Sequence, residues 1–158
     1  MFRDRKIKDL IGAARSWLGI PYQRGARPRF PQEFAALNGN KPAFADCSSL
    51  VVFALWSSTG KSLIPCSFDI AAENGEDIFD FSEALPGDFL LFKGERWKCD
   101  YNRLPYDGIG HVAILSYNNK IIHSCNSEGK TGVVEHTFTK EEHLFYHPQS
   151  IVVIKRFI

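Results

Sequence analysis

The hydrophobic pattern of this chain changes its period near residue 84. Before that point apolar residues recur at helical spacing, and Ile7, Leu10 and Leu18 lie on one stripe of a helix predicted over 4–18. After it, short apolar runs between turn residues predict consecutive strands with short links, which favours antiparallel pairing. Helices followed by strands indicate the α+β class, with N-terminal helices packed on a C-terminal antiparallel sheet of about five strands. The predicted strands begin near residues 89, 111, 120, 133 and 151.

Composition and charge exclude several classes of function. With 158 residues we expect a single domain over 1–158, and a net charge of +1 gives no electrostatic argument for a nucleic acid or membrane partner. The first residues lack the apolar segment of a signal peptide, and no targeting module is recognised. Cys47, Cys66, Cys99 and Cys125 lack metal-type spacing, so we expect all four to be reduced and the protein to be cytoplasmic. A phage-associated or exported setting is the alternative.

One of these cysteines begins a predicted helix. Apolar residues after Cys47 recur at helical spacing, Gly60 is a stop signal, and Asp46 is placed to cap the first turn. A first-turn thiol feels the positive end of the helix dipole, which favours the nucleophilic thiolate. The alternative is a small buried apolar side chain, which is what most free cysteines are.

A cysteine nucleophile needs a base, and the base needs a third group that fixes its tautomer. His111 begins a predicted buried strand and His123 lies in the next one, so the two can be neighbours across a hairpin. His136 is expected to face solvent from its strand, while His143 and His147 lie in a polar segment and are expected at the surface. His111 and His123 are therefore the candidates for base and orienting group.

The loop between these two strands decides whether the histidines can meet. A two-residue turn of Asn118 and Asn119 would place His123 on the opposite face from His111, because side chains alternate along a strand. A three-residue loop that includes Tyr117 pairs Ser116 with Lys120 and Ala113 with His123, and both histidines then share a face. The catalytic interpretation therefore predicts an odd-length loop, with Asn119 in the left-handed conformation.

Five short motifs follow one another along the chain: Gly19-Ile20-Pro21-Tyr22, Asp46-Cys47-Ser48-Ser49-Leu50-Val51, Pro86-Gly87-Asp88-Phe89, Gly110-His111-Val112-Ala113-Ile114 and Ile122-His123. Taken together and in this order, they resemble the motifs of the NlpC family of papain-like cysteine peptidases, which act on bacterial cell-wall peptides.

The resemblance implies a papain-like fold and a catalytic triad of Cys47 as nucleophile, His111 as base and His123 as orienting residue. It also implies that Tyr22 shapes the oxyanion site and that Asp46 and Ser48 line the pocket for the free amine of the substrate. A fixed carboxylate suits an ammonium group, although Asp46 has a competing use as a helix cap. No metal or cofactor is implied.

The function that the resemblance implies is hydrolysis of an amide in a cell-wall peptide, at the γ-D-glutamyl bond to a diamino acid. A CHAP-type peptidoglycan amidase uses the same order of cysteine and histidine, but its third residue is usually an acid or amide, so His123 favours the first interpretation. A non-catalytic peptide-binding or phage-tail module of the same fold is the rival from another class. Such a module has no use for an intact Cys47, His111 and His123.

The chain also departs from the family pattern. Ser49 replaces a usual glycine, and Arg24-Gly25-Ala26 replaces an aromatic residue followed by two glycines. The segments 26–45 and 93–109 are longer than usual, and we expect both to border the active-site cleft. Trp97, Tyr101 and Tyr106 give the second segment the character of a cleft wall. These departures concern the substrate more than the chemistry.

Overall fold

The computed structural model describes residues 1–94, 108–127 and 129–158, and within them the helices precede most of the sheet. The helices are α1 (Phe2–Arg15), α2 (Pro31–Ala36), α3 (Cys47–Thr59) and α4 (Ser67–Ala72). The strands are β1 (Glu76–Ile78), β2 (Phe89–Lys93), β3 (Ile109–Leu115), β4 (Lys120–Ser127), β5 (Lys130–Thr137) and β6 (Ile151–Arg156).

The six strands form one antiparallel sheet in the order β1-β6-β2-β3-β4-β5. The predicted α+β architecture is confirmed. The sheet has one strand more than the five expected, because β1 is only three residues long and pairs with β6 near the C-terminus. A strand of that length is too short to produce an alternating pattern in the sequence.

The sheet is covered on both faces, as alternation along β2 shows. Phe89 and Leu91 belong to the apolar core under the helices, while Leu90 and Phe92 belong to a second apolar cluster on the opposite face. Helix α3 lies in the first core and buries residues on every side, including Leu50. Helix α3 is therefore held on several sides, which fixes its N-terminus in space.

The first helix ends earlier than predicted. Residues 16–18 continue from α1 as a tight turn with i→i−3 bonds, in which Trp17 donates to Ala14 and Leu18 donates to Arg15, both at 3.1 Å. The turn places the Trp17 ring in a stack with Phe53 of α3, with ring centroids 4.1 Å apart. This aromatic contact with α3 competes with the regular continuation of the helix.

Two findings bear on the expected compartment. Cys66 is disulfide-bonded, while Cys47 and Cys125 are free, so the expectation that all four cysteines are reduced is wrong. That expectation was one of the two grounds for a cytoplasmic location. Within the described residues, none of the helices has the length and apolar character needed to span a membrane.

Candidate active site

The start of α3 is held by a reciprocal cap. Asp46 accepts the Ser49 N–H through Oδ1 at 2.8 Å, and the Ser49 hydroxyl oxygen accepts the Asp46 N–H at 3.0 Å. Gly60 ends the helix in the left-handed conformation. The Ser49 hydroxyl completes this cap, which fixes Cys47 at the first helical position. Backbone N–H groups of a first turn have no partner inside the helix.

Tyr22 is brought to this helix start by backbone pairing. A parallel bridge joins it to Ala45, and the Ala45 carbonyl accepts hydrogen bonds from the Gln23 N–H at 3.3 Å and the Ser124 hydroxyl at 2.8 Å. Gly132 allows the segment just before Tyr22 to pack closely against β5, because a Cβ at this position would collide with the Ile20 carbonyl oxygen. The residues that flank the nucleophile are thus anchored to the sheet.

The β3–β4 hairpin has the register that the catalytic interpretation requires. Ile114 pairs with Ile122, and the Ser116 N–H donates to the Lys120 carbonyl at 2.7 Å, so the loop has three residues. The predicted odd-length loop is confirmed. Asn119 is left-handed with φ of 54°, and Asn118 is as well, with φ of 58°. A two-residue left-handed run was not foreseen.

This register brings the two candidate histidines together. The Nε2 atom of His111 lies 2.8 Å from Nδ1 of His123, and both rings are buried. Because the two nitrogens are within hydrogen-bond distance, one ring must donate a proton to the other.

Cys47 lies against the strand that carries His111. The backbone N–H of Val112, the next residue, is near enough to the Cys47 sulfur to favour its thiolate and so to lower the pKa of the thiol. Tyr146 stacks on the His111 ring, with centroids 3.8 Å apart and planes inclined by 14°, and the charge of a Cys47 thiolate would act on its phenol. Tyr146 therefore neighbours both the thiol and the imidazole, a position that no sequence pattern predicts. A tyrosine in a turn-rich segment 35 residues after His111 carries no local signal.

Two further histidines extend the cluster. His136 of β5 is only half-buried, and its Nε2 lies 2.8 Å from Nε2 of His123. His143 is completely buried, stacks near His136 and contacts the Ser127 hydroxyl at 3.1 Å. The prediction of a surface His143 is wrong, whereas His136 keeps part of its side chain exposed, as expected of a residue facing solvent, and also contacts His123. The segment after β5 folds back over the sheet, and the Phe145 and Tyr146 N–H groups donate to Nδ1 of His143 at 3.2 Å.

Arg29, like Tyr146, is a residue of the site that no sequence pattern identified as a candidate. Its guanidinium forms an ion pair with Oδ2 of Asp46 and also donates to the Ser48 hydroxyl and the Pro65 carbonyl. Oδ2 of Asp46 accepts the Gly25 N–H as well, at 3.0 Å. The Asp46 carboxylate is therefore saturated by the chain itself. Arg29 lies in an aperiodic loop with other arginines, so no pattern distinguishes it.

These residues line a cleft of about 410 Å³. Its wall includes Gly110, immediately before His111, and Cys66 from the start of α4. Tyr22, Asp46, Cys47 and Ser48 lie together in this wall, with Arg24 and Arg29 beside them. Segment 26–45 borders the cleft through Arg29, as expected. The expected cleft wall at Trp97, Tyr101 and Tyr106 lies outside the described residues.

Burial dominates the electrostatics of the site. It raises the pKa of the Cys47 thiol to about 12, assisted by the charge of Asp46, and the N–H groups of Val112 and Ser48 oppose this rise without cancelling it. Burial also lowers the pKa of His111 to about 3 and that of His123 well below its ordinary value. These shifts oppose the expected resting thiolate. Loss of hydration acts against the helix dipole, and the raised pKa of Cys47 together with the lowered pKa of His111 favours a neutral thiol–imidazole pair.

One group in the described parts of the chain has the donors to hold a metal ion. The side-chain donor atoms of His123, Cys125 and His143 lie within 4.8 Å of one another, and all three residues are buried. Both nitrogens of His123, however, already make 2.8 Å contacts with other histidines. A metal would have to break one of these contacts.

Comparisons with known proteins agree with this architecture. The sequence pattern of the NlpC/P60 family matches residues 33–146. Two curated relatives from Corynebacterium glutamicum, each named a probable endopeptidase, are 30% identical over 128 residues, which is 81% of this chain and 46% of each relative. The chain thus spans about half the length of these relatives.

Solved structures share the fold. The P60 domain of a Mycobacterium avium subspecies paratuberculosis antigen has a TM-score of 0.67 at 20% identity, over 99% of this chain and 97% of that one. The peptidoglycan hydrolase RipB from Mycobacterium tuberculosis has a TM-score of 0.64 at 23% identity, over 99% of this chain and 66% of that one. The fold is therefore of the papain-like class. The chain belongs to the NlpC/P60 family.

Proposed function

We propose that this chain is a cysteine peptidase that hydrolyses an amide bond in bacterial cell-wall peptides through Cys47, His111 and His123. The observation that carries the proposal is the 2.8 Å contact between His111 and His123. The N–H of Val112, the residue after His111 in β3, favours the Cys47 thiolate, which places Cys47 beside the same strand. Membership of a family with endopeptidase relatives supports the same reaction class.

In the proposed reaction, His111 takes the thiol proton as the Cys47 sulfur attacks the substrate carbonyl carbon. A neutral pair suits this order, because charge separates only when the sulfur–carbon bond forms. His123 holds the His111 ring by its hydrogen bond. The protonated His111 then gives its proton to the leaving amine as the amide carbon–nitrogen bond breaks, and water hydrolyses the resulting thioester.

The negative oxygen of the tetrahedral intermediate needs fixed donors. The backbone N–H of Cys47 at the first helical position is one such donor, and Tyr22 beside it shapes the same side of the site. Burial and the nearby Cys47 raise the pKa of Tyr22, so its phenol keeps its proton and can donate a hydrogen bond.

The substrate is proposed to be a stem peptide cut at the γ-D-glutamyl bond to its diamino acid, with Tyr22, Asp46 and Ser48 on the substrate side of the cleft. An incoming ammonium group must compete with Arg29 for the Asp46 carboxylate. The test is mass spectrometry of a peptidoglycan digest and of free stem peptides after incubation with the protein. Cleavage must disappear in Cys47→Ala and persist in Cys125→Ala, which removes the other described free thiol. Products cut at any other bond would contradict the proposed specificity.

A further inference from the structure

The hydrogen-bond chain that ends at His111 begins outside the proposed triad, at His136. Nδ1 of His136 lies 2.9 Å from the carbonyl oxygen of Thr137. A carbonyl oxygen can only accept, so the His136 proton is on Nδ1. In the neutral ring Nε2 is then a bare acceptor.

The next contact transmits this assignment to His123. Nε2 of His123 lies 2.8 Å from Nε2 of His136, and two bare nitrogens at that distance would repel each other. His123 must therefore carry its proton on Nε2 and donate it to His136. Nδ1 of the neutral His123 ring is then the acceptor.

The third contact passes the assignment to the proposed base. Because Nδ1 of His123 is bare, the 2.8 Å contact requires that Nε2 of His111 carries the proton. Nδ1 of the neutral His111 ring is then left without a proton, and it is the only atom of His111 that can accept the thiol proton.

We propose that His136 is a positioning residue that, through His123, holds His111 in the Nε2–H tautomer needed by a general base at Nδ1. The catalytic part rests on the proposed function; the tautomer assignment does not. When Cys47 gives up its proton, the proton binds Nδ1 of His111. The Nε2 proton stays on His111 and its hydrogen bond to His123 stabilises the imidazolium, so no proton leaves the site.

The other groups around His136 leave this assignment intact. Burial lowers its pKa, Lys130 of its own strand lowers it further, and Glu142 of the following segment opposes Lys130. His143, which stacks near it at a centroid distance of 5.7 Å, accepts two backbone N–H groups at its own Nδ1. His136 is thus an uncharged acceptor at neutral pH.

Side-chain geometry offers a matched pair of variants. In His136→Gln the amide oxygen can reach the position of Nε2 and accept from His123, whereas in His136→Asn the side chain is too short to do so. We expect kcat to fall roughly five- to tenfold in His136→Asn and His136→Ala, the effect of one lost hydrogen bond, with KM nearly unchanged. His136→Gln should recover most of kcat. Equal losses in the Gln and Asn variants would overturn the positioning role.

The tautomers are measured independently of activity on Cys47→Ala protein labelled with nitrogen-15 in its histidine rings, in a buffer containing a metal chelator. Long-range proton–nitrogen spectra should show protons on Nδ1 of His136 and on Nε2 of His123 and His111. Adding His136→Ala should remove this preference at His123 and His111. Adding His147→Ala should leave the preference intact, because His147 is bonded to Gln149 and has no place in the hydrogen-bond chain from His136 to His111. Unchanged tautomers in the His136→Ala protein, or a proton on Nε2 of His136, would overturn the proposal even if the protein cleaves no peptide.

Discussion

The Arg29 guanidinium is paired with the Asp46 carboxylate directly beside the nucleophile. Only 19% of the Arg29 side chain and 8% of the Asp46 side chain are exposed, so solvent screens this pair weakly. Asp46 also caps α3, and its competing use as a helix cap is thus realised in the fold. A substrate amine that binds here has to replace an arginine that is already in place.

Arg29→Ala should therefore strengthen the binding of substrates with a free amino end. We expect KM for a free stem tripeptide to fall about fivefold, as one charge-assisted hydrogen bond becomes available, while KM for its N-acetylated form stays constant. Steady-state kinetics on both peptides measure the difference. Arg27→Ala is the matched control, because Arg27 pairs with Glu33 instead. A parallel change for both peptides would show that Arg29 does not act through the amine.

Cys47, which is only partly buried, should react as a thiol with a raised pKa in the absence of substrate. Burial raises its pKa to about 12, so its alkylation by iodoacetamide should keep accelerating from pH 6 to pH 9 without a plateau. Peptide mapping at each pH follows the rate, and Cys47→Ala identifies the modified peptide. A plateau below pH 7 would instead reveal a thiolate paired with a protonated His111. Cys47→Ala should abolish turnover and leave the fold intact.

The ring of Tyr146 should matter more than its hydroxyl group. Stacking at 3.8 Å on His111 limits rotation of the imidazole, and phenylalanine can make the same stack. Tyr146→Phe should keep kcat within about twofold, and Tyr146→Ala should lower it roughly fivefold, as expected for the loss of a ring contact of about 1 kcal/mol. If Tyr146→Phe loses as much as Tyr146→Ala, the phenol itself takes part in the reaction.

Folding stability should fall as the pH falls below 6.5. Burial lowers the pKa values of His111 and His123 in the folded protein. At a pH below the pKa of histidine in the unfolded chain, the unfolded state therefore binds protons that the folded state does not bind. At pH 5 each of them should lower the free energy of unfolding by on the order of 2 kcal/mol relative to pH 7. Urea unfolding at successive pH values measures the slope, and His123→Asn should make it shallower by one histidine. A flat profile between pH 7 and pH 5 would contradict the burial of neutral histidines.

Much of the framework could be predicted because its signals are local. The period change gives helices before strands, and Asp46, Ser49 and Gly60 mark the ends of α3 within a few residues of one another. Because side chains alternate faces along a strand, an odd number of loop residues places His111 and His123 on the same face, and the observed β3–β4 register agrees with this prediction. These features depend on neighbours in the chain or on one hairpin.

The remaining features depend on groups that are far apart in sequence. Arg29 and Asp46 are 17 positions apart in the sequence and lie on opposite sides of α2, and Tyr146 reaches His111 only because the segment after β5 folds over the sheet. This folding of the segment over the sheet also buries His143. It also raises the pKa of Cys47 against the helix dipole, since the dipole is a local property whereas desolvation sums over every element packed around the thiol. Local patterns in the sequence are therefore enough to identify the candidate reacting groups, whereas the neighbours and pKa shifts of these groups depend on the fold, because burial and long-range contact are properties of the packed chain.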